Sequence, residues 1–377
     1  MKSIPTKKTH VIGAALFAAA MALPSSHPAF AEAAPERGTV AFKYLNYEDR
    51  QPSAERIKVN AYSVSAMAPI AGKWSINTTY TNDSVSGASP HYYNSLSGAS
   101  ISEHRQAVDL GVTRYLSRGS VTVGTSYSDE NDYISRGYSA EGSLSTEDKN
   151  TTFTLGGSYT TDTINPTGQK DKFFAKRTVA GLVGVTKVLT KQDIVQLNFG
   201  YSNGRGDFND HYKSVDVRPE KRVGKTVMTR WNHHFDGTDG TSRLSYRFYT
   251  DTFGINAHTF GLEYVQPVVN DWTVTPSARY YSQTAANFYH PVEDPADPTA
   301  YPNVGLNEIV SCDQRLSAFG AITLGIKVEK RIAKEWLVDA KFEHYEQRSG
   351  WGLSGKGDPG LASFSARFVQ LGVSREF

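Results

Sequence analysis

SFSARFVQLGVSREF, residues 363–377, carries Val369, Leu371 and Val373 at every second position and closes on Phe377. A period of two puts those three side chains on one face of a strand. Arg375 interrupts the apolar series. One greasy face and a final aromatic residue, in a chain that opens with an export-type leader, form the pattern expected of an outer-membrane β-barrel. In residues 1–31, Lys2, Lys7 and Lys8 precede an apolar run from Val11 to Leu23, and Ala29-Phe30-Ala31 supplies small residues before Glu32. The expected organisation is a signal peptide over 1–31 and one barrel domain over 32–377. The apolar run is too short for a membrane-crossing helix, which takes about 20 residues.

Without the leader, 37 basic residues face 38 acidic ones and the formal net charge is −1, so nucleic acid is not an expected partner. Cys312 is the single cysteine, which excludes an intramolecular disulfide and argues against zinc or iron–sulfur sites built from several thiolates. A mean hydropathy of −0.44 would ordinarily indicate a soluble chain. A transmembrane barrel escapes that inference because only alternate residues meet lipid while the interior is polar. The 21 Tyr and 18 Phe fit strands with aromatic girdles.

The alternation recurs along the chain. Trp74, Ile76, Thr78 and Tyr80 oppose Ser75, Asn77, Thr79 and Thr81; Val121, Val123, Thr125 and Tyr127 oppose Thr122, Gly124, Ser126 and Ser128. It returns at Val195 to Tyr201, Leu244 to Phe248, Phe260 to Tyr264 and Trp336 to Phe342, and is weakest over Tyr133 to Leu144. A soluble sandwich also alternates, but here link length alternates too. Short links at Ala71-Gly72, Ser117 to Gly119, Thr190-Lys191 and Ala333-Lys334 are interleaved with long stretches at Asp83–Glu103, Gly204–Glu220, Ala285–Ser311 and Ser349–Ala362. Short periplasmic turns and long extracellular loops are the habit of outer-membrane barrels. The reading is an all-β, antiparallel up-and-down barrel of about 16 strands with both termini periplasmic, strands and links using up the chain and leaving no plug.

The opening strands, GTVAFKYLNYEDRQPSAERIKVNAYSVSAMAPIAGKWSINTTYTNDSVSGASP from Gly38, together with the terminal SREF, resemble an uncharacterised family of Gram-negative outer-membrane barrels. Its members tend to be encoded beside a periplasmic flavin transferase, a thioredoxin-like protein and a small lipoprotein. The resemblance implies an extracytoplasmic redox or metal-linked setting and a periplasmic protein partner. It carries no catalytic motif, so no residue inherits a role from it.

If the aromatic faces meet lipid, the opposite faces line the lumen. The first half of the chain then sends in Ser, Thr, Gly and Asn, with Asp109 the exception. The second half sends in Arg230, Arg243, Arg247, Glu263, Arg279, Asp339, Lys341 and Glu343. These eight are the candidate lumen belt, a charged wall that selects passing solutes as charged rings do in pores. The alternative is that they pair across strands, Arg247 beside Glu263 beside Arg279, and only satisfy the interior. Arg177, Lys225 and His233 fall on lipid faces and are read as interfacial.

Glu293, Asp294, Asp297, Glu308 and Asp313 gather with His290 and Cys312 in one Pro-rich stretch. Flexible acidic oxygens can hold calcium, but no EF-hand spacing is present and a solvated surface loop is the favoured reading. Lipase-type G-x-S-x-G and H-E-x-x-H motifs are absent, and no nucleophile, base and orienting group converge on one face. No enzyme activity and no cofactor are expected. The sequence therefore points to a channel or transport component for a small solute or ion, with a scaffold barrel docking a periplasmic flavin or haem protein as the alternative.

Overall fold

The computed structural model describes residues 33–51, 54–88, 100–166, 172–213, 215–291, 302, 308–355, 357–358 and 360–377. The stretch 1–31, expected to be a leader, lies outside them. In chain order the strands are β1 (Thr39–Gln51), β2 (Ala54–Ile70), β3 (Trp74–Ala88), β4 (Ser100–Leu116), β5 (Gly119–Asp129), β6 (Tyr133–Ser145), β7 (Thr151–Ile164), β8 (Phe174–Val188), β9 (Asp193–Gly206), β10 (Asp216–Val217), β11 (Lys221–Phe235), β12 (Gly240–Asp251), β13 (Asn256–Val268), β14 (Trp272–Gln283), β15 (Val310–Ser311), β16 (Phe319–Ile332), β17 (Trp336–Arg348) and β18 (Phe364–Glu376). All except β10 and β15 pair antiparallel with their neighbours along the chain, and β1 meets β18 to close the barrel. The expected sixteen-stranded architecture is present, and β6 forms despite its weak alternation.

Closure removes the sheet edges, so every strand amide has a ladder to join. Thr39 stands opposite Glu376, and the Gly38 and Phe377 backbones exchange hydrogen bonds of 3.0 Å, fixing both ends of the barrel at the short-turn end. Tight turns there use positive φ at Ala71, Lys149, Asp239, Asn270, Asp271 and Ala333.

The outward faces are those the alternation marked. Leu155 is 67% exposed and Leu371 51%, on a surface that lipid covers. At the short-turn end three strand-opening tryptophans each receive a cation from the directly opposed residue: Arg114 over Trp74 at 4.8 Å, Lys330 over Trp272 at 5.3 Å and Arg375 over Trp336 at 5.4 Å. Arg375, the break in the terminal series, thus sits in an interfacial aromatic girdle where a charge costs little. His233 lies there too, 2.8 Å from Asp193, which also accepts from Trp231 Nε1.

Candidate functional site

Sixteen strands enclose a lumen that strand side chains alone do not fill. At the long-loop end the chain fills it with its own loops, contrary to the expectation of no plug. Val215, Cys312 and Leu361, from three different loops, pack with inward residues Leu45 and Tyr47 of β1, Ile57, Val59 and Ala61 of β2, Phe319 of β16 and Phe364 of β18. A second cluster joins Phe253, Ile255 and Ala257 to Ala286 and Leu316, with Phe208 against it. Burying a side chain of this size stabilises by about 1.5–3 kcal/mol, so the loops are held by the same effect that holds a soluble core.

Polar bonds lock the plug. β10 pairs with β15, and Cys312 N–H donates to the Val215 carbonyl at 3.0 Å. Arg218 donates to Asp216 at 2.9 Å and to Asp313 at 2.7 Å; Arg315 bonds Asp313 and Asp210. Burial opposes ionisation of Asp313, yet Arg315, Arg218 and Lys213 together hold its carboxyl well below the usual range. Asp216 is pushed up by burial against the pull of Arg218. On the far wall Tyr212 donates to Asp132, between β5 and β6, and Lys176 of β8 lies over the Phe208 ring at 5.7 Å. The plug therefore reaches the barrel wall on opposite sides.

Cys312 and Asp313, expected in a solvated loop, are 6% and 0% exposed. Their neighbours Glu293, Asp294 and Asp297 lie outside the described residues. Among the described residues no group of three or more His, Cys, Asp or Glu is placed to hold a metal.

Towards the short-turn end the inward face is wet. Asp109, Glu141, Arg247, Glu263 and Arg279 are all exposed although they point inward. All eight belt candidates occupy inward positions, but only four of them form ion pairs with one another. Arg243 meets Glu263 at 3.6 Å and Lys341 meets Glu343 at 3.1 Å. Asp339 is buried opposite Glu329 and beside Gly372, where a Cβ would fall 2.1 Å from its Oδ2. Arg230, Arg247 and Arg279 form no ion pair with any described carboxylate; Arg279 donates to Thr323 at 3.2 Å, and Arg247 lies over the Tyr249 ring at 5.8 Å. The expected run of Arg247 beside Glu263 beside Arg279 fails because Glu263 stands opposite Arg243, while Arg247 stands opposite Thr259.

The first half of the barrel is also more charged inside than expected. Lys43, Asp83, Arg105, Glu141, Asp162 and Lys176 face inward beside Asp109. Those nearest the plug pair, Arg105 with Asp83 at 2.7 Å and Lys176 with Asp162 at 3.2 Å. Between β5 and β6, burial raises Glu130 to about 7; Arg105 opposes the shift and Asp132 and Asp83 add to it. The signal for the plug lies in β1, β2, β16 and β18, whose apolar residues switch faces partway along each strand. In β1 they run outward at Val40, Phe42 and Tyr44, then inward at Leu45 and Tyr47.

A closed up-and-down barrel with a lipid-facing apolar band, short turns at one end and long loops at the other is a transmembrane barrel of the outer-membrane type. The chain belongs to a family described as protein of unknown function (DUF3570), whose model matches residues 13–99, 93–175 and 171–368. No curated protein matches it. Among solved structures, a bacterial polysaccharide outer membrane secretin aligns with a TM-score of 0.53 at 7% identity, over 90% of this chain and 98% of its own. The siderophore receptor PirA from Pseudomonas aeruginosa aligns at 0.46 with 9% identity over 84% of this chain, which spans 57% of the receptor's length. The outer membrane protein opdK from Pseudomonas aeruginosa aligns at 0.45 with 9% identity over 90% of this chain and 99% of its own. At these identities the likeness is one of fold.

Proposed function

We propose that the protein is an outer-membrane channel or transport component for a small solute or ion, held shut on the extracellular side by its own loops. The observation that carries this reading is a wet, charged lower lumen beneath a plug built from described residues of the loops 207–220, 284–318 and 349–363. A purely structural barrel has no need to keep exposed charges such as Arg247, Arg279 and Asp109 inside. A plug joined by a few ion pairs and two apolar clusters can leave the mouth while the sixteen-stranded ladder stays closed.

The test is single-channel recording of the folded protein in a planar bilayer under a salt gradient. Rare ion-selective steps, made frequent by loosening the plug, support the reading. A heat-modifiable barrel that stays silent even with its plug loosened, and that co-purifies with a flavin or haem protein, would replace the channel with a docking scaffold.

A further inference from the structure

The three arginines without a carboxylate partner share one patch of wall. Arg230, Ser245, Gly261 and Arg279 stand in a single cross-strand row over β11, β12, β13 and β14, and Arg247 lies two residues from Ser245 along β12. At about 4.8 Å between strands, the outer two backbone positions are roughly 14 Å apart, with Arg247 between them. Arg279 turns to Thr323 on β16 and Arg247 to the Tyr249 ring, and side chains this long reach over the space between when they swing inward to a ligand. That space has a floor of small residues. A Cβ at Gly261 would meet Ser245 Oγ at 2.7 Å, so nothing larger fits without displacing the serine.

The nearby carboxylates are already engaged. Glu263 faces Arg243, and Asp251 accepts from Arg222 at 2.6 Å. The three arginines lie five to seven residues in from Phe235, Gly240 and Trp272, at the short-turn ends of their strands. Asp109 lies seven residues in from Leu116 on β4, and β4 stands eight strands from β13 in the ring of sixteen. A cationic patch thus faces an acidic residue across the lumen at a similar depth. An anion entering the vestibule is drawn to one wall and repelled from the other.

We propose that Arg230, Arg247 and Arg279 form a docking site for a small multivalent oxyanion, a solute carrying two or more carboxylate or phosphate groups. The guanidinium fork matches carboxylate and phosphate bidentately, which a halide does not exploit. A monovalent ion engages one fork; the spread of the three demands several anionic groups on one solute. As a statement about transport this rests on the channel reading, whereas binding can be measured without conduction.

The experiment is isothermal titration of the refolded full barrel at low ionic strength with citrate and with inorganic pyrophosphate, and with sucrose as the uncharged control. Saturable binding of citrate or pyrophosphate but not sucrose is expected, weakened about tenfold by Arg247→Gln and lost in the triple Arg230→Gln, Arg247→Gln, Arg279→Gln variant. Tighter citrate binding identifies a carboxylate solute, and tighter pyrophosphate binding a phosphate one. Heat-modifiability checks the fold of each variant, and the single Arg247→Gln substitution suffices if the triple does not fold. Lys43→Gln, inward on β1, should leave binding unchanged.

Absence of saturable binding to folded wild type, equal affinity in Arg247→Gln, or an equal loss in Lys43→Gln would overturn the site. Binding by a barrel that never conducts would leave the site standing and remove the channel reading; conduction without binding would do the reverse.

Discussion

Arg218 Nη2 lies 2.7 Å from Asp313 Oδ2, and this pair fastens the loop after β9 to the loop before β16 inside the barrel mouth. Asp313 is fully buried and also accepts from Arg315, so its loss removes a carboxylate from two guanidinium groups at once and leaves Arg218 only Asp216 and Arg315 only Asp210. Breaking a buried ion pair costs about 3–5 kcal/mol where the remaining charge is left uncompensated, and the cost here is smaller because Asp216 and Asp210 still hold the two arginines. Asp313→Ala should raise open probability in a planar bilayer and expose loop 207–220 to protease, while heat-modifiability persists because no barrel ladder uses this pair. Unchanged conductance together with an unchanged digestion pattern would argue that the loops are a fixed core.

Cys312 offers a native reporter for the same event. It is 6% exposed, and burial, reinforced by Asp216 and Asp358, pushes its thiol up to about 11. A thiol that is both shielded and protonated reacts slowly. Labelling with a bulky maleimide should be slow in the wild type and at least about tenfold faster in Asp313→Ala at the same pH, since exposure restores an ordinary thiol. Fast labelling of the wild type would show that the described plug does not persist in solution.

Glu130, in the β5–β6 loop that Tyr212 of the plug reaches through Asp132, is expected to make closure depend on pH. Its carboxyl is raised from 4.5 to about 7 by burial, with Asp132 and Asp83 adding to the shift and Arg105 opposing it. Below its ordinary value the proton is held in closed and opened states alike. Between that value and about 7 only the closed state keeps it, so closure weakens as pH rises, by on the order of 1.4 kcal/mol per unit. Above the window the penalty is constant. Asp132, which accepts from Tyr212 of the plug, is raised in the same direction by burial. Open probability should therefore increase between about pH 4.5 and about pH 7 and level off above, and Glu130→Gln should flatten the curve. A curve that rises equally in the variant would place the dependence elsewhere.

The face assignment makes a paired prediction on one strand. Leu155 of β7 points to lipid and Ser158 into the lumen. An arginine within the apolar band costs about 2–4 kcal/mol near the midplane, whereas the lumen accepts charge. Leu155→Arg should destabilise the folded barrel against denaturant by that order while Ser158→Arg leaves it nearly unchanged. Equal destabilisation by the two would contradict the outward and inward sets.

The strands are legible in the sequence because a period of two survives any loop content: Val369, Leu371 and Val373 face outward as their spacing requires. The belt residues share the inward face for the same reason. Their pairing is not legible, because register decides it. Glu263 stands opposite Arg243, and Arg247, further along the same inward face of β12, falls opposite Thr259 instead. The plug escapes a reading by periodicity because Val215, Cys312 and Leu361 have no repeat to advertise their burial. Its trace is the change of apolar face between Tyr44 and Leu45, between Ala61 and Tyr62, and between Phe368 and Val369.

That change of face divides the lumen into a dry upper part and a wet lower part, so ion preference should be set below the plug and be readable only once the plug is loosened. In the Asp313→Ala background, Arg230→Ala combined with Arg247→Ala removes two of the three arginines that lack a described carboxylate partner, while Asp109 remains on the opposite wall. Charged groups lining a pore bias the sign of the ion that passes. The reversal potential under a salt gradient should therefore move towards cation preference, and Asp109→Asn in the same background should move it towards anions. The opposite signs matter, because a general change in pore width would shift both variants alike; identical reversal potentials in all three proteins would mean that these side chains do not line the conducting path.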